Sequence, residues 1–165
     1  MDWFHSFLYL CGISILAFPI GRMLPKRWLR YDAFPFRSFA WEQDGKCYHA
    51  LSIRQWMHQL PDMSRIMTGC MQMKRKELPK QLTEEDVRWL LDETCVAETV
   101  HFLLCVAGMH CMELWQGIGG VIFWVLYVVL CNLPYIVIQR YNRPKLAHLY
   151  ERIRQDDALA EKVHG

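Results

Sequence analysis

Several signals of enzyme chemistry are absent from the sequence. There is no GxSxG elbow, so a serine nucleophile of the hydrolase type finds no support. There are no histidine boxes of the desaturase type, and the seven cysteines include no CxxC pair. Their odd count and irregular spacing argue against a disulfide framework or a zinc knuckle. Charge of one sign is scarce too. Nineteen Lys and Arg face seventeen Asp and Glu, for a net charge of +2. With no basic face interleaved with aromatics, nucleic acid is excluded as a partner. No internal repeat or low-complexity tract is visible, and 165 residues are one domain's worth of chain.

What the chain does have is apolar sequence, at 53% of residues, gathered into three runs. The first, Trp3 to Ile20, is about the length that crosses a hydrocarbon core. No small-residue cleavage site follows it, and the positive charges (Arg22, Lys26, Arg27, Arg30) come after it rather than before, so a retained helix is expected rather than a signal peptide. The second run, Val96 to about Trp115, is interrupted by Glu98, His101, His110 and Glu113. The third, Ile118 to Ile138, is the strongest. Asn132 is its one strongly polar residue, and Pro134 should kink it near its end. Gly117, Gly119 and Gly120 mark a tight turn, so the second and third runs form an antiparallel hairpin.

Lys and Arg concentrate in the stretch from Gly21 to Glu93 and in the tail after Gln139, while the 111–117 turn has none. The positive-inside rule then puts the N-terminus outside and the C-terminus in the cytoplasm. The expected fold is an all-α integral membrane protein forming a single domain over 1–165. Its three transmembrane helices lie at about 3–20, 96–115 and 118–138. A cytoplasmic interfacial region covers 21–95, and a cytoplasmic tail covers 139–165. The interfacial region mixes Phe34, Phe36, Phe39, Trp41, Tyr48, Trp56 and Trp89 with basic residues, as the membrane interface favours. Within it Asp44-Gly45 reads as a turn between two short extended pieces. Ser52 to Leu60 reads as a short helix ended by Pro61, Lys74 to Lys80 as a solvated charge run, and Thr83 with Asp86 as a helix N-cap.

Two polar clusters should meet at the cytoplasmic membrane face. The first is Glu93 to His101, where Glu98 and His101 at i, i+3 share a helix face with Thr94. Ionisable residues inside a span are functional candidates by default. The bland alternative is a structural Glu98–His101 pair holding helices together. The sharper reading makes His101 a general base oriented by Glu98, with Glu93 nearby as a further catalytic candidate. The second cluster is Asn132, then Gln139, Arg140, Tyr141, Asn142 and Arg143. Its arginines suit phosphate, or serve as simple interface anchors. Asn132 or Asn142 would donate to a developing oxyanion. Trp56 and His58 complete the substrate-binding candidates. A diiron site needs a second Glu-x-x-His pair and further carboxylates, so no metal ligand set is expected.

Residues Phe36 to Gly45 (F-x-SF-x-x-E-x-x-G), Ile53 to Asp62 (IR-x-W-x-H-x-LPD), Glu93 to His101 (ET-x-x-AE-x-x-H) and Asn132 to Leu146 (N-x-P, then IQRYNRPKL) occur in one order. With these the chain resembles the glycosyl-4,4'-diaponeurosporenoate acyltransferases, small bacterial membrane enzymes of carotenoid biosynthesis. The resemblance covers about Arg22 to Leu149. It implies a bacterial plasma-membrane enzyme that moves a fatty acyl group onto a sugar hydroxyl of a glycosylated carotenoid or related glycolipid at the cytoplasmic face. It implies no cofactor beyond an acyl donor as co-substrate, for which acyl-CoA is a candidate. A homo-oligomer would enlarge the small shell of three spans. The rival functions are a non-catalytic membrane assembly or regulatory protein, and another lipid-modifying enzyme, metal-dependent or kinase-like. A kinase would need acidic residues gathered for Mg²⁺. Glu84, Glu85 and Asp86 are better explained as a charged helix start.

Overall fold

The computed structural model describes residues 2–60 and 82–164. Pro61 and the Lys74 to Lys80 charge run therefore lie outside the described residues. Among those residues every regular element is helical. Helix α1 spans Asp2–Met23. A 3₁₀ turn at Lys26–Trp28 and a 3₁₀ stretch at Ala40–Leu51 lead to the short α2, Ile53–Trp56. Helix α3 is Glu84–Gly108 and α4 is Cys111–Leu114. Helix α5, Ile118–Leu126, runs through a π-helical segment, Tyr127–Asn132, into α6, Leu133–His164. Three of these stretches, Asp2–Met23, Glu84–Leu114 and Ile118–Leu159, are long and apolar enough to cross a membrane.

The sequence explains the boundaries. Thr83 Oγ1 accepts from the Asp86 amide at 3.2 Å, and the Asp86 carboxylate accepts from the Thr83 amide at 3.3 Å. This reciprocal cap starts α3, and it starts it well before the apolar run at Val96. Gly117 turns the chain between α4 and α5 with φ +89°, a conformation glycine adopts without strain. The kink expected at Pro134 takes a specific form, a widened π turn just before the proline. Proline lacks an amide hydrogen and crowds the carbonyl four residues earlier, and the wider turn relieves both problems. The tail is a helical continuation of α6 rather than a separate segment.

Three clusters of buried side chains are distributed along the bundle. Leu10, Ala17, Leu104, Cys111 and Tyr127 join α1 to the hairpin at its apolar end. There Ser14 Oγ and Tyr127 Oη lie 2.9 Å apart, and Tyr9 Oη donates to the Ala107 carbonyl at 2.9 Å. Val87, Leu91 and Tyr150 close the other end of the α3–α6 pair. Tyr48, Ile53 and Tyr141 pack the 3₁₀ stretch and α2 onto α6. Large apolar side chains such as Ile15 (72% exposed) and Ile118 (74% exposed) point outward. Water would penalise such a surface by about 25 cal/mol per Å², whereas lipid does not.

The Asp44-Gly45 turn is present, with Gln43, Asp44 and Gly45 all at positive φ. Its flanks are 3₁₀ turns rather than the expected extended pieces. Gly45 is the residue that brings this turn onto α6. A Cβ there would stand 3.2 Å from the Tyr141 carbonyl oxygen. The helix expected over Ser52 to Leu60 is regular only at Ile53–Trp56.

Candidate functional site

Helix α6 carries most of the polar side chains, and successive residues face different neighbours because each step turns the helix by about 100°. Arg143 faces α3, Arg140 faces the 31–45 segment, and Tyr141 faces Tyr48 and Ile53. Arg143 is buried and Arg140 half-buried, and the two share one closed network. Arg140 Nε and Nη2 bond the two Glu42 oxygens at 2.5 and 2.7 Å, and its Nη1 reaches Glu98 Oε1 at 2.8 Å. Its guanidinium also donates to the Pro35 and Arg37 carbonyls, at 3.1 and 3.3 Å. Arg143 donates to Glu98 Oε2 at 2.5 Å, Thr94 Oγ1 at 2.9 Å, the Thr94 carbonyl at 3.1 Å and the Phe36 carbonyl at 2.8 Å. Two carboxylates thus neutralise two guanidinium groups.

Glu42 is 2% exposed. Burial opposes its ionisation, but hydrogen bonds from Arg140, the Phe39 amide (2.7 Å) and Tyr48 outweigh that penalty and hold its carboxyl below the usual range. Burial and the same carboxylate push the Tyr48 phenol well above its ordinary value.

Glu98 therefore does not orient His101, because its two oxygens are taken by Arg140 and Arg143. The histidine has another partner: its Nδ1 lies 3.0 Å from Asn132 Oδ1. The Asn132 Nδ2 donates to the Tyr127 carbonyl at 3.2 Å. A carbonyl only accepts, so this bond fixes which way the amide points. Oδ1 then faces the ring, so Nδ1 carries a proton, and in the neutral imidazole the lone pair is on Nε2. The Tyr135 ring stacks on the imidazole at 4.7 Å with an interplanar angle of 3°, which further fixes its orientation. The π segment sets this geometry. Its wider turn brings the Tyr127 carbonyl within reach of the Asn132 side-chain amide while the buried Asn132 faces α3.

The remaining expected residues are dispersed. Glu93 forms an ion pair with Lys26 at 2.6 Å. Asn142 lies ten residues beyond Asn132, about 15 Å along the helix axis, so it does not serve the same centre. Gln139 is half-buried on α6. Tyr141 is 1% exposed and accepts a hydrogen bond from Arg54 Nε at 3.0 Å. Trp56 packs beside Tyr141 and donates to the Leu51 carbonyl at 2.8 Å, while His58 is exposed.

Sequence reasoning missed Glu42 as a site residue. Its one signal was its place in the F-x-SF-x-x-E-x-x-G stretch. A cavity of about 200 Å³ adjoins the arginine layer and is lined by Tyr31, Arg37, Ser38, Glu42, Arg140 and His148, among others. Among the described residues no three His, Cys, Asp or Glu side chains converge to hold a metal.

Two layers thus stand on α3 and α6, an oriented imidazole and a neutralised arginine pair. The glycosyl-4,4'-diaponeurosporenoate acyltransferase family matches residues 25–152. The protein of that name from Staphylococcus haemolyticus (strain JCSC1435) is 29% identical over 136 residues, covering 81% of this chain and 76% of the relative. Its namesake from Staphylococcus aureus (strain bovine RF122 / ET3-1) is 22% identical over 164 residues, covering 92% and 90%. No solved structure matches the chain. The family match runs from just past α1 into the far half of α6, most of the chain, and on that ground the chain belongs to the glycosyl-4,4'-diaponeurosporenoate acyltransferase family.

Proposed function

We propose that this acyltransferase moves a fatty acyl group onto a sugar hydroxyl of a glycosylated carotenoid or a related glycolipid at the cytoplasmic membrane face. The named substrate of the relatives supports the acceptor class. The distribution of Lys and Arg supports a cytoplasmic C-terminus and an outside N-terminus.

The observation that carries the mechanism is the tautomer of His101. With Nδ1–H held by Asn132, Nε2 is the free base. In this reading Nε2 takes the proton of the acceptor hydroxyl as its oxygen attacks the acyl carbonyl. The tetrahedral intermediate collapses by breaking the bond to the donor, and the imidazolium returns the proton to the leaving group. Asn132 keeps the ring in the productive orientation throughout. The arginine layer holds α6, α3 and the 31–45 segment in register. The cavity beside it lies on the far side from His101, since Arg140 is eight residues, about 12 Å, beyond Asn132 along the axis. The transfer is accordingly assigned to the His101 side, where apolar helix faces can take the acyl chain and the polyene.

The test is pigment and lipid mass spectrometry in bacteria that make a glycosylated C30 carotenoid acid. The chain should add the mass of one fatty acyl group. His101→Ala, present in the membrane at the same level, should lower transfer by about 100-fold or more, the usual worth of a positioned base. Transfer retained in His101→Ala removes the histidine from the mechanism. No mass gain with the unaltered chain rejects this acceptor.

A further inference from the structure

Arg140 and Arg143 have the chemistry for a phosphate but not the free charge, because Glu42 and Glu98 already occupy them. A second cationic group lies on another face of α6. Tyr141 Oη accepts from Arg54 Nε at 3.0 Å, Lys145 Nζ stands 3.0 Å from the centre of the Tyr141 ring, and the His49 ring meets the same ring edge-on at 5.6 Å. Arg54, Lys145 and His49 are all exposed, whereas Tyr141 is buried beneath them. The other ion pairs among the described residues are Lys26–Glu93, Arg30–Asp32 and His110–Glu113. No carboxylate of the described residues pairs with Arg54 or Lys145.

The sequence builds this cluster deliberately close. The close approach at Gly45 presses the 43–51 segment onto α6 at Tyr141. Ile53 is fully buried in the cluster with Tyr48 and Tyr141, and it fixes the start of the helix that carries Arg54. Arg54 uses one of its five N–H groups on the phenol, which leaves the terminal fork for a ligand. A guanidinium fork, an ammonium and an imidazole around a buried phenol make a receptor for a phosphate group.

We infer that His49, Arg54 and Lys145 hold the phosphate of the acyl donor. This rests on the acyl-transfer reading above. The placement suits it, since Tyr141 lies nine residues beyond Asn132, about 13 Å along the axis and on the opposite side of the helix. A donor whose phosphates and acyl carbon are joined by a flexible arm can bridge that distance. The phosphate chemistry alone is common to a nucleotide-bearing thioester such as acyl-CoA and to a phospholipid, but only the thioester has an arm long enough for the span, and direct binding separates the two.

The experiment uses the full chain purified in a neutral detergent, beside the double variant Arg54→Gln/Lys145→Gln. Binding is measured with coenzyme A and, separately, with mixed micelles carrying phosphatidylglycerol. Loss of at least about tenfold in affinity for coenzyme A in the variant is expected if the donor bears a nucleotide. The same loss for phosphatidylglycerol alone makes the cluster a lipid-headgroup contact and overturns its assignment to the acyl donor. Equal binding of both probes by the two proteins, or binding of neither, overturns the inference. Transfer assays keep this separate from the general reading. The variant should show a raised KM for the donor with kcat nearly unchanged at saturation. Absence of transfer by the unaltered chain would reject the acyl-transfer reading while leaving the binding result intact. An unchanged unfolding temperature checks that the variant is folded.

Discussion

At the scale of single residues, the network around Glu42 decides what the arginines can do. A charge taken out of water is costly, and a buried pair offsets that cost only with good geometry and satisfied remaining groups. Glu42 has both: a two-pronged contact with Arg140, the Phe39 amide and the Tyr48 phenol. Replacing it with glutamine would leave an arginine and its neighbours partly unmatched. Glu42→Gln should lower stability by about 3 kcal/mol, the usual cost of breaking a buried pair, read as a lower unfolding temperature in detergent. The pH dependence has a definite sign. The folded-state carboxyl lies below the ordinary glutamate value of about 4.3, so its contribution is complete above that value. It is lost as the pH falls through the lower folded-state value. The unaltered chain should therefore lose unfolding temperature on acidification below about pH 4, and Glu42→Gln should show a shallower fall. An equal fall in both would assign the acid sensitivity to other groups.

At the scale of elements, the π segment Tyr127–Asn132 couples the fold to the imidazole. Deleting one lipid-facing residue there, such as Leu130 (61% exposed), should restore ordinary α-helical spacing. Asn132 would then follow Tyr127 by four residues in place of five, which tightens the turn that joins its side-chain amide to that carbonyl. The Tyr127 carbonyl would leave the Asn132 amide, His101 would lose its fixed tautomer, and transfer should fall by about 100-fold with membrane insertion intact. A Leu130 deletion with full activity would show that the Tyr127–Asn132 bond is dispensable. The sequence made the three apolar helices, the hairpin at Gly117 and the cap at Thr83 legible, because each rests on local periodicity or local hydrogen bonding. It marked His101 and Asn132 as polar residues in apolar runs, but it paired His101 with Glu98, its neighbour one turn away. It could not see that Glu42, 56 positions earlier than Glu98, shares Arg140 with it, because that contact depends on how the 31–45 segment folds back. Nor does a single proline disclose whether it produces a bend or a widened turn.

At the scale of the whole molecule, the polar network and the apolar surface divide the bundle along its length. The Lys26–Glu93 pair, the Glu42–Arg140 contact and the Glu98–Arg143 contact all sit toward the end where α1 finishes, α3 begins and α6 emerges. At the opposite end, the 111–117 turn has no Lys or Arg. Positive charge on loops resists translocation, so the first end should face the cytoplasm. Three crossings, one by α1, one by α3 and one by α5 running into α6, would then place the two termini on opposite sides. Fusions to a reporter active only outside the membrane and to one fluorescent only in the cytoplasm read this out directly. A fusion after Gly165 should fluoresce and lack the outside activity. An outside reporter placed before α1 or in the 115–117 turn should be active. Replacing Arg22, Lys26 and Arg27 together with Gln should weaken this preference, since they are the basic residues nearest the end of the first span. An active outside reporter after Gly165 would invert the topology, and with it the assignment of the donor and the sugar to the cytoplasmic face.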